Sequence, residues 1–349
     1  MGQTMRWPST RIVLVLTAAL LATALLYLGL AREGAGLGDI LSALRGVDEG
    51  DLSPAADAVR IDRYVFLQIR LPRLVVAAFG GAALAMAGVV MQAAFRNPLA
   101  SPDLVGTAAG AAFGGALAIV FSLAGIAVIA VPLCSLAGAT LVTALVFVLA
   151  GAHQRFSTSS LLLAGIALNT LVGALTAFAV TFTFDNYTAS SRVLFWLMGG
   201  LESRTWDHAW ITMGGFLLFA AGIVPRAREL DLLTLRDDSA HSLGIDAAKV
   251  RRVLLWFACG LTATTVANTG GIAFVGLVVP HLARLVVGPT HRALLPTAAL
   301  LGALLLVVSD LLCRLAPADA NLRLGVVTAL LGAPYFLFLL ARHRRGEAL

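Results

Sequence analysis

Charge-free runs recur along this chain at a length that a lipid bilayer explains. Leu74 to Phe95 is 22 residues without Asp, Glu, Lys or Arg, with Arg70 and Arg73 before it and Arg96 after it. Leu104 to Gln154 extends the pattern to 51 residues. A helix needs about 20 apolar residues to cross roughly 30 Å of hydrocarbon. In lipid its backbone polar groups must also be satisfied within the element itself. The first run is therefore one span. The second must hold two, with a break expected near Ala124–Gly125. Apolar residues make up 59% of the chain and charged residues 13%, against about 25% charged in soluble domains. The 34 glycines suit helices whose backbones approach closely in lipid. The expected fold is an all-α polytopic membrane protein, a single domain over residues 1–349 with no room for a separate soluble unit.

The charge-free gaps place spans near 12–31, 74–95, 103–122, 126–150, 159–184, 207–226, 250–268, 271–289, 293–313 and 324–342. The first is too long for the apolar region of a cleaved signal peptide, about 7–15 residues, and is read as a retained helix. Asn268-Thr269-Gly270-Gly271 is a turn signal between the seventh and eighth spans. Ten spans with the N-terminus inside return the C-terminus inside. That topology puts 15 of the arginines and lysine inside and 10 outside, the direction that the positive-inside bias requires. The net charge of +6 is thus explained by membrane orientation, and nucleic acid is not an expected partner. Cys134, Cys259 and Cys313 each lie in an apolar stretch. They read as packed or lipid-facing thiols rather than a disulfide framework or zinc site.

Ser101 is expected to cap the third span, with Pro102 and Asp103 as its first residues. Gly106, Gly110 and Gly114 then fall at i, i+4 and i+8 on one face, a double small-x3-small pattern. Two readings remain open for that face: internal helix packing, or a pore or subunit contact.

Several segments carry a resemblance. They are RLPR at 70–73, Gly80–Gly81, Gln92, RNPLASPDLVG at 96–106, LAGIALN at 163–169, WLMGGL at 196–201, GGIAFVGLVVPHLAR at 270–284 and LGVVTALLGAPYFLFLL at 324–340. In order and spacing these resemble the FecCD family, the membrane permeases of ABC importers for iron–siderophores, haem and vitamin B12. The resemblance implies a ten-helix, type II ABC importer architecture of the vitamin B12 permease kind, in a bacterial inner or plasma membrane. It implies a second permease subunit, a homodimer being the simplest case. Two ABC ATPase subunits and a periplasmic or lipid-anchored substrate-binding protein would complete the machine. An iron–siderophore or similar chelate leads as cargo; haem and vitamin B12 remain open.

The residues supply an independent check on the ATPase. A P-loop requires Gly-Lys followed by Ser or Thr. The only lysine, Lys249, stands between Ala248 and Val250. The chain therefore lacks a Walker A site, and ATP and Mg belong to a partner. The cytoplasmic segment at about 228–247 is where that partner would seat. Asp238-Ser239-Ala240-x3-Gly244 resembles a degenerate form of the importer coupling motif, Glu-Ala-Ala-x3-Gly. Leu235, Leu243 and Ile245 would be its apolar anchors, and Gly244 would end its helix. A plain amphipathic connector is the alternative.

On the outer side Arg70, Arg73 and Arg314 match family positions that meet acidic residues on the binding protein. Such pairs steer encounter more than they add affinity. The alternative is snorkelling to headgroups. Uncharged polar residues inside spans are candidates for the path: Gln92, Asn169, Thr170, Thr262, Thr264, Thr265, Asn268 and Thr328. Each is alternatively a helix–helix hydrogen bond. The chain departs from the family before its last helix, with Asn321-Leu322-Arg323-Leu324-Gly325 in place of Glu-Leu-Pro-x-Gly. Losing that proline loosens the expected helix start.

Two other classes fit less well. An ion-coupled secondary transporter carries ionisable groups at mid-membrane, and His281, toward the inner end of the eighth span, is the nearest candidate. An enzyme would show paired carboxylates, a metal-spaced cluster or a nucleophile beside a base. The six histidines are instead dispersed along the chain.

Overall fold

The computed structural model describes residues 9–30, 53–123, 127, 129–151, 158–183, 187–235, 246–317 and 320–344. In chain order its helices are α1 (Ser9–Gly29), α2 (Pro54–Tyr64), α3 (Leu71–Phe95), α4 (Thr107–Val120), α5 (Ala130–Gly151), α6 (Thr158–Thr181), α7 (Tyr187–Leu197), α8 (Trp206–Ile223), α9 (Ala227–Leu233), α10 (Ala247–Thr269), α11 (Val275–Val287), α12 (His291–Leu315) and α13 (Leu324–Arg344). Among the described residues there is no strand. Every expected span is a helix, and α2, α7 and α9 are short connectors between spans. Among the described residues, seven helical stretches are long and apolar enough to cross a bilayer, while α4, α11 and the apolar part of α13 are shorter.

Helix α3 sits at the centre. Every residue from Gly80 to Phe95 is buried, and α8, α10, α11 and α12 all pack on it. Its composition permits this, because small residues let neighbours approach from several directions. A Cβ at Gly81 would fall on the Gly302 carbonyl of α12, and one at Gly88 on the Gly276 backbone of α11. The same small side chains that make a span apolar thus make this one a hub. By contrast α1 exposes Leu14, Val15, Leu21 and Leu25, and α6 exposes Leu163, Ile166, Leu171 and Phe178. These are faces for lipid or for another subunit.

The entrance to α3 is continuous with a π-helical turn, Val65–Arg70. The Trp206 indole N–H at the start of α8 donates to the Leu67 carbonyl in that turn, 2.9 Å away. Local widening of a helix leaves a carbonyl for another partner, and here α8 uses it.

The third span begins later than expected. Ser101 precedes a 3-10 turn, Pro102–Val105, and makes no side-chain cap bond. Gly106 then adopts φ +79°, and α4 starts at Thr107. A left-handed residue cannot sit inside an α-helix, so Gly106 caps α4 rather than lying within it. All three glycines nevertheless face α5: an added Cβ would meet Val142 at Gly106, the Gly138 carbonyl at Gly110 and the Cys134 carbonyl at Gly114.

Two glycine turns meet at one end of the bundle. Gly199 and Gly270 have φ +72° and +71°, and the Gly200 N–H donates to the Thr269 carbonyl at 2.8 Å. A Cβ at Gly325 would collide with the Met198 and Gly271 carbonyls. Segments distant in sequence, 196–201, 268–272 and 324–325, are therefore packed backbone to backbone.

Candidate functional site

Polar side chains gather at two opposite ends of α3. The first cluster joins α1, α3 and α12. Asp310 is fully buried. It accepts from Tyr27 Oη at 2.5 Å and from Arg73 Nε and Nη2 at 2.8 and 2.7 Å. The two-nitrogen contact is the strong fork geometry of guanidinium with carboxylate. Arg314 donates to the Tyr27 and Leu30 carbonyls at 2.9 and 3.1 Å, and its guanidinium lies 4.5 Å from the Tyr27 ring centre. Arg70 donates to the Leu28 carbonyl at 2.9 Å. The last carbonyls of α1 lack helical partners, and cations are favoured at that negative helix end. This explains why a helix with so little buried surface is held in place.

Arg70, Arg73 and Arg314 therefore turn inward. Arg73 is held on Asp310, which sequence order alone did not pair with it. Nearby, Arg323 forms an ion pair with Glu202 and stacks 4.0 Å from the Phe195 ring centre. The residue that replaces the family proline thus anchors the start of α13, and Asn321 just before it adopts φ +42°. Burial pushes the Arg204 guanidinium down to about 10, with Glu202 opposing the shift. Its Nε has no hydrogen-bond partner.

The second cluster surrounds a cavity of about 410 Å³ lined by Gln92, Arg96, Asp231, Thr234, Arg284 and His291, among others. Arg96 ends α3 in a left-handed conformation, φ +49°, and its Nε donates to the Leu233 carbonyl at 2.8 Å. Asp231 Oδ1 accepts from the His291 backbone N–H at 2.9 Å and from His291 Nδ1 at 2.6 Å. Gln92 donates to the Leu277 carbonyl at 3.1 Å and accepts from Arg284. The cluster therefore binds the end of α3 to α9, α11 and α12.

The contacts sort by membrane side as the expected topology requires. Residues assigned outside (Arg70, Arg73, Glu202, Arg314, Arg323) contact one another's elements. Residues assigned inside (Arg96, Asp231, Arg284, His291) do the same at the other end. An odd number of spans between members of either set would have broken this separation.

The path candidates divide. Thr262, Thr264, Thr265 and Asn268 on α10 are buried and donate to carbonyls of their own helix four residues back. Thr328 is buried too, and donates to Gly325 at 3.0 Å. Asn169 donates to the Asp103 carbonyl at 2.7 Å, pinning the 3-10 turn, and its Oδ1 has no partner. Thr170 stands on an exposed face of α6. Of the coupling residues, Leu235 is exposed just beyond α9. Asp238, Ser239, Ala240, Leu243, Gly244 and Ile245 lie outside the described residues. Sequence reasoning missed Asp310, Tyr27, Asp231 and His291 as partners. Asp310 carried a usable signal, as a carboxylate inside an apolar run.

The chain matches the FecCD transport family over residues 6–342. It is 43% identical to the Fe(3+) dicitrate transport system permease protein FecD of Escherichia coli, over 80% of this chain and 86% of that one. It is 41% identical to the cobalamin import system permease protein BtuC of Halobacterium salinarum, over 80% of this chain and 74% of that one. Its fold superposes with a TM-score of 0.80 on a metal-chelate type ABC transporter solved in an inward-facing conformation, at 32% identity, covering 95% of this chain and 99% of that chain. A second solved chain, described as PsaBC from Streptococcus pneumoniae in complex with Fab, shares the fold at TM-score 0.57 and 16% identity, covering 80% and 93%. The chain belongs to the FecCD transport family: it is a multi-pass membrane permease subunit of an ABC importer and not itself an enzyme.

Proposed function

We propose that this subunit imports an iron–siderophore or a similar bulky metal chelate, pairing with a second copy of itself in a bacterial plasma membrane. The Arg73–Asp310 end faces outward, both termini lie inside, and the Asp231–His291 end faces the ATPase. The observation that carries the orientation is the separation of the two polar clusters together with the excess of basic residues assigned to the inner side. The cargo class is supported by the relative named for Fe(3+) dicitrate. Cobalamin, the cargo named for the other relative, is the second reading.

In this arrangement the α6 face carrying Thr170 and its apolar neighbours borders the path. Small and apolar walls pass a chelate without holding it, so specificity rests with the external binding protein. Arg70 and Arg314 act on that protein through their field, since screening leaves charges effective over about 8 Å, whereas Asp310 balances the charge of Arg73. The segment at about 228–247 engages the ATPase. ATP and Mg act on that partner, which supplies the hydrolysis this chain lacks a Walker A lysine to perform.

Proteoliposomes holding the permease, its ATPase and its binding protein test the proposal. Uptake of a radiolabelled ferric siderophore that requires all three components and ATP is expected. Uptake of labelled cyanocobalamin in its place would move the assignment to the corrinoid reading, and ATP-independent uptake would refute both.

A further inference from the structure

The contacts around α9 connect the ATPase-facing segment to the far side of the membrane. Helix α9 is the described start of that segment and carries two links at its end. Its Leu233 carbonyl is held by Arg96 at the end of α3. Its Asp231 carboxylate caps the first turn of α12 through the His291 backbone N–H and imidazole. The His291 side chain is 4% exposed and the Asp231 side chain 38%, so the imidazole is sheltered while the carboxylate borders the cavity. Helices α3 and α12 are then joined twice more. Their backbones meet at Gly81 and Gly302, and Arg73 grips Asp310 at the opposite end. Two helices joined directly at one end and in the middle, and through α9 at the other, move as one body, because packed interiors transmit displacement rather than absorb it.

We infer that Asp231 is a positioning residue for energy coupling: it latches α9 to α12, so that displacement of the ATPase-facing segment moves the α3–α12 pair and is delivered at the Arg73–Asp310 face. This rests on the proposed orientation of the subunit. The carboxylate suits the role because it accepts two hydrogen bonds from one residue, one of them from a helix N-terminus where negative charge is favoured. Arg96 supplies the parallel connection into α3. Neither link touches a translocated molecule, so their effect is on the response to nucleotide.

Hydrogen exchange on the permease–ATPase complex in lipid nanodiscs tests the latch without any cargo. In the wild type, a non-hydrolysable ATP analogue is expected to change exchange at the Arg73 end of α3 and the Asp310 end of α12. In Asp231→Ala that response should fall at least fivefold, while the ATPase still co-purifies and α9 itself still responds. Asp231→Asn keeps an acceptor for the His291 N–H and should retain at least half of the response. A purely structural role would instead raise exchange without nucleotide and leave the response ratio unchanged. A response in Asp231→Ala within twofold of wild type overturns the latch. If Asp231→Ala fails to assemble, His291→Ala, which deletes the imidazole bond and keeps the backbone one, should lower the response about twofold, and an unchanged response in it overturns the latch. A wild-type complex in which the ATPase protects the Arg73 face refutes the proposed orientation, and the latch with it.

Discussion

Replacing Asp310 by Ala isolates the contact that fixes the Arg73 end of the bundle. The carboxylate is 1% exposed and its partner Arg73 is 16% exposed. Three hydrogen bonds converge on it, from Tyr27 and from two nitrogens of Arg73. Its removal leaves a guanidinium and a phenol in a site built for a carboxylate. Breaking a buried ion pair from one side costs about 3–5 kcal/mol, chiefly because the remaining charge is uncompensated. An exposed pair such as Arg60–Asp57 belongs to the class worth about 0–1 kcal/mol. Asp310→Asn keeps the shape and one acceptor, and should lose roughly 1–3 kcal/mol. Replacing both members, Arg73→Met with Asp310→Leu, should recover most of the loss, since no charge is then stranded. The assay is reversible unfolding of the purified permease in mixed micelles, followed by tryptophan fluorescence at 50 and 500 mM salt. Salt should change the difference little, because buried pairs are weakly screened. A loss below about 1 kcal/mol for Asp310→Ala, or one that salt halves, would refute the buried-pair reasoning.

Other substitutions probe separate parts of the structure. Gly81→Leu forces a side chain onto the Gly302 backbone, and overpacking of this kind costs at least about 1–3 kcal/mol; it should appear as early aggregation in fluorescence-detected gel filtration on heating. Arg323→Glu places like charges together at Glu202 and should lower stability by about 1 kcal/mol; adding Glu202→Arg should restore it, and no recovery in the pair would count against the contact. Arg204→Met removes a desolvated cation whose Nε is unpartnered, so thermal stability should hold or rise, and a marked fall would contradict that balance. Arg70→Gln retains a donor for the Leu28 carbonyl while deleting one outer charge; the association rate of the binding protein should fall about two- to threefold at low salt and little at high salt, as surface plasmon resonance would read.

Much of the fold was legible because membrane insertion is decided locally. A run of residues either is or is not apolar enough to cross lipid, so the spans and the turn at Asn268–Gly271 could be read directly. The boundary at Ser101 was misplaced because Pro102 and Asp103 are good first-turn residues, and the left-handed Gly106 that ends their turn is invisible to propensity. The coupling residues from Asp238 to Ile245 remain a sequence resemblance. The arginines at 70, 73 and 314 were legible as a set on one side of the membrane, but their partners were not. Tyr27 and Asp310 are 283 residues apart, and no local pattern links them. The threonines of α10 looked like path residues in sequence; in three dimensions their hydroxyls are satisfied by the preceding turn, an option that any helical threonine has.

By itself the sequence determined a ten-span, all-helical permease of the FecCD family, with arginines marking the ends of its spans and no lysine placed to bind ATP phosphates. These properties follow from composition and order, because lipid tests each segment separately. Only the tertiary structure decided that α3 is the hub, that Arg73 is held by Asp310, and that Asp231 ties α9 to α12. Each of these depends on which helix faces lie against each other. In a bilayer apolar faces are nearly equivalent to one another and to lipid, so backbone approach at glycine and a few distant polar pairs make the choice.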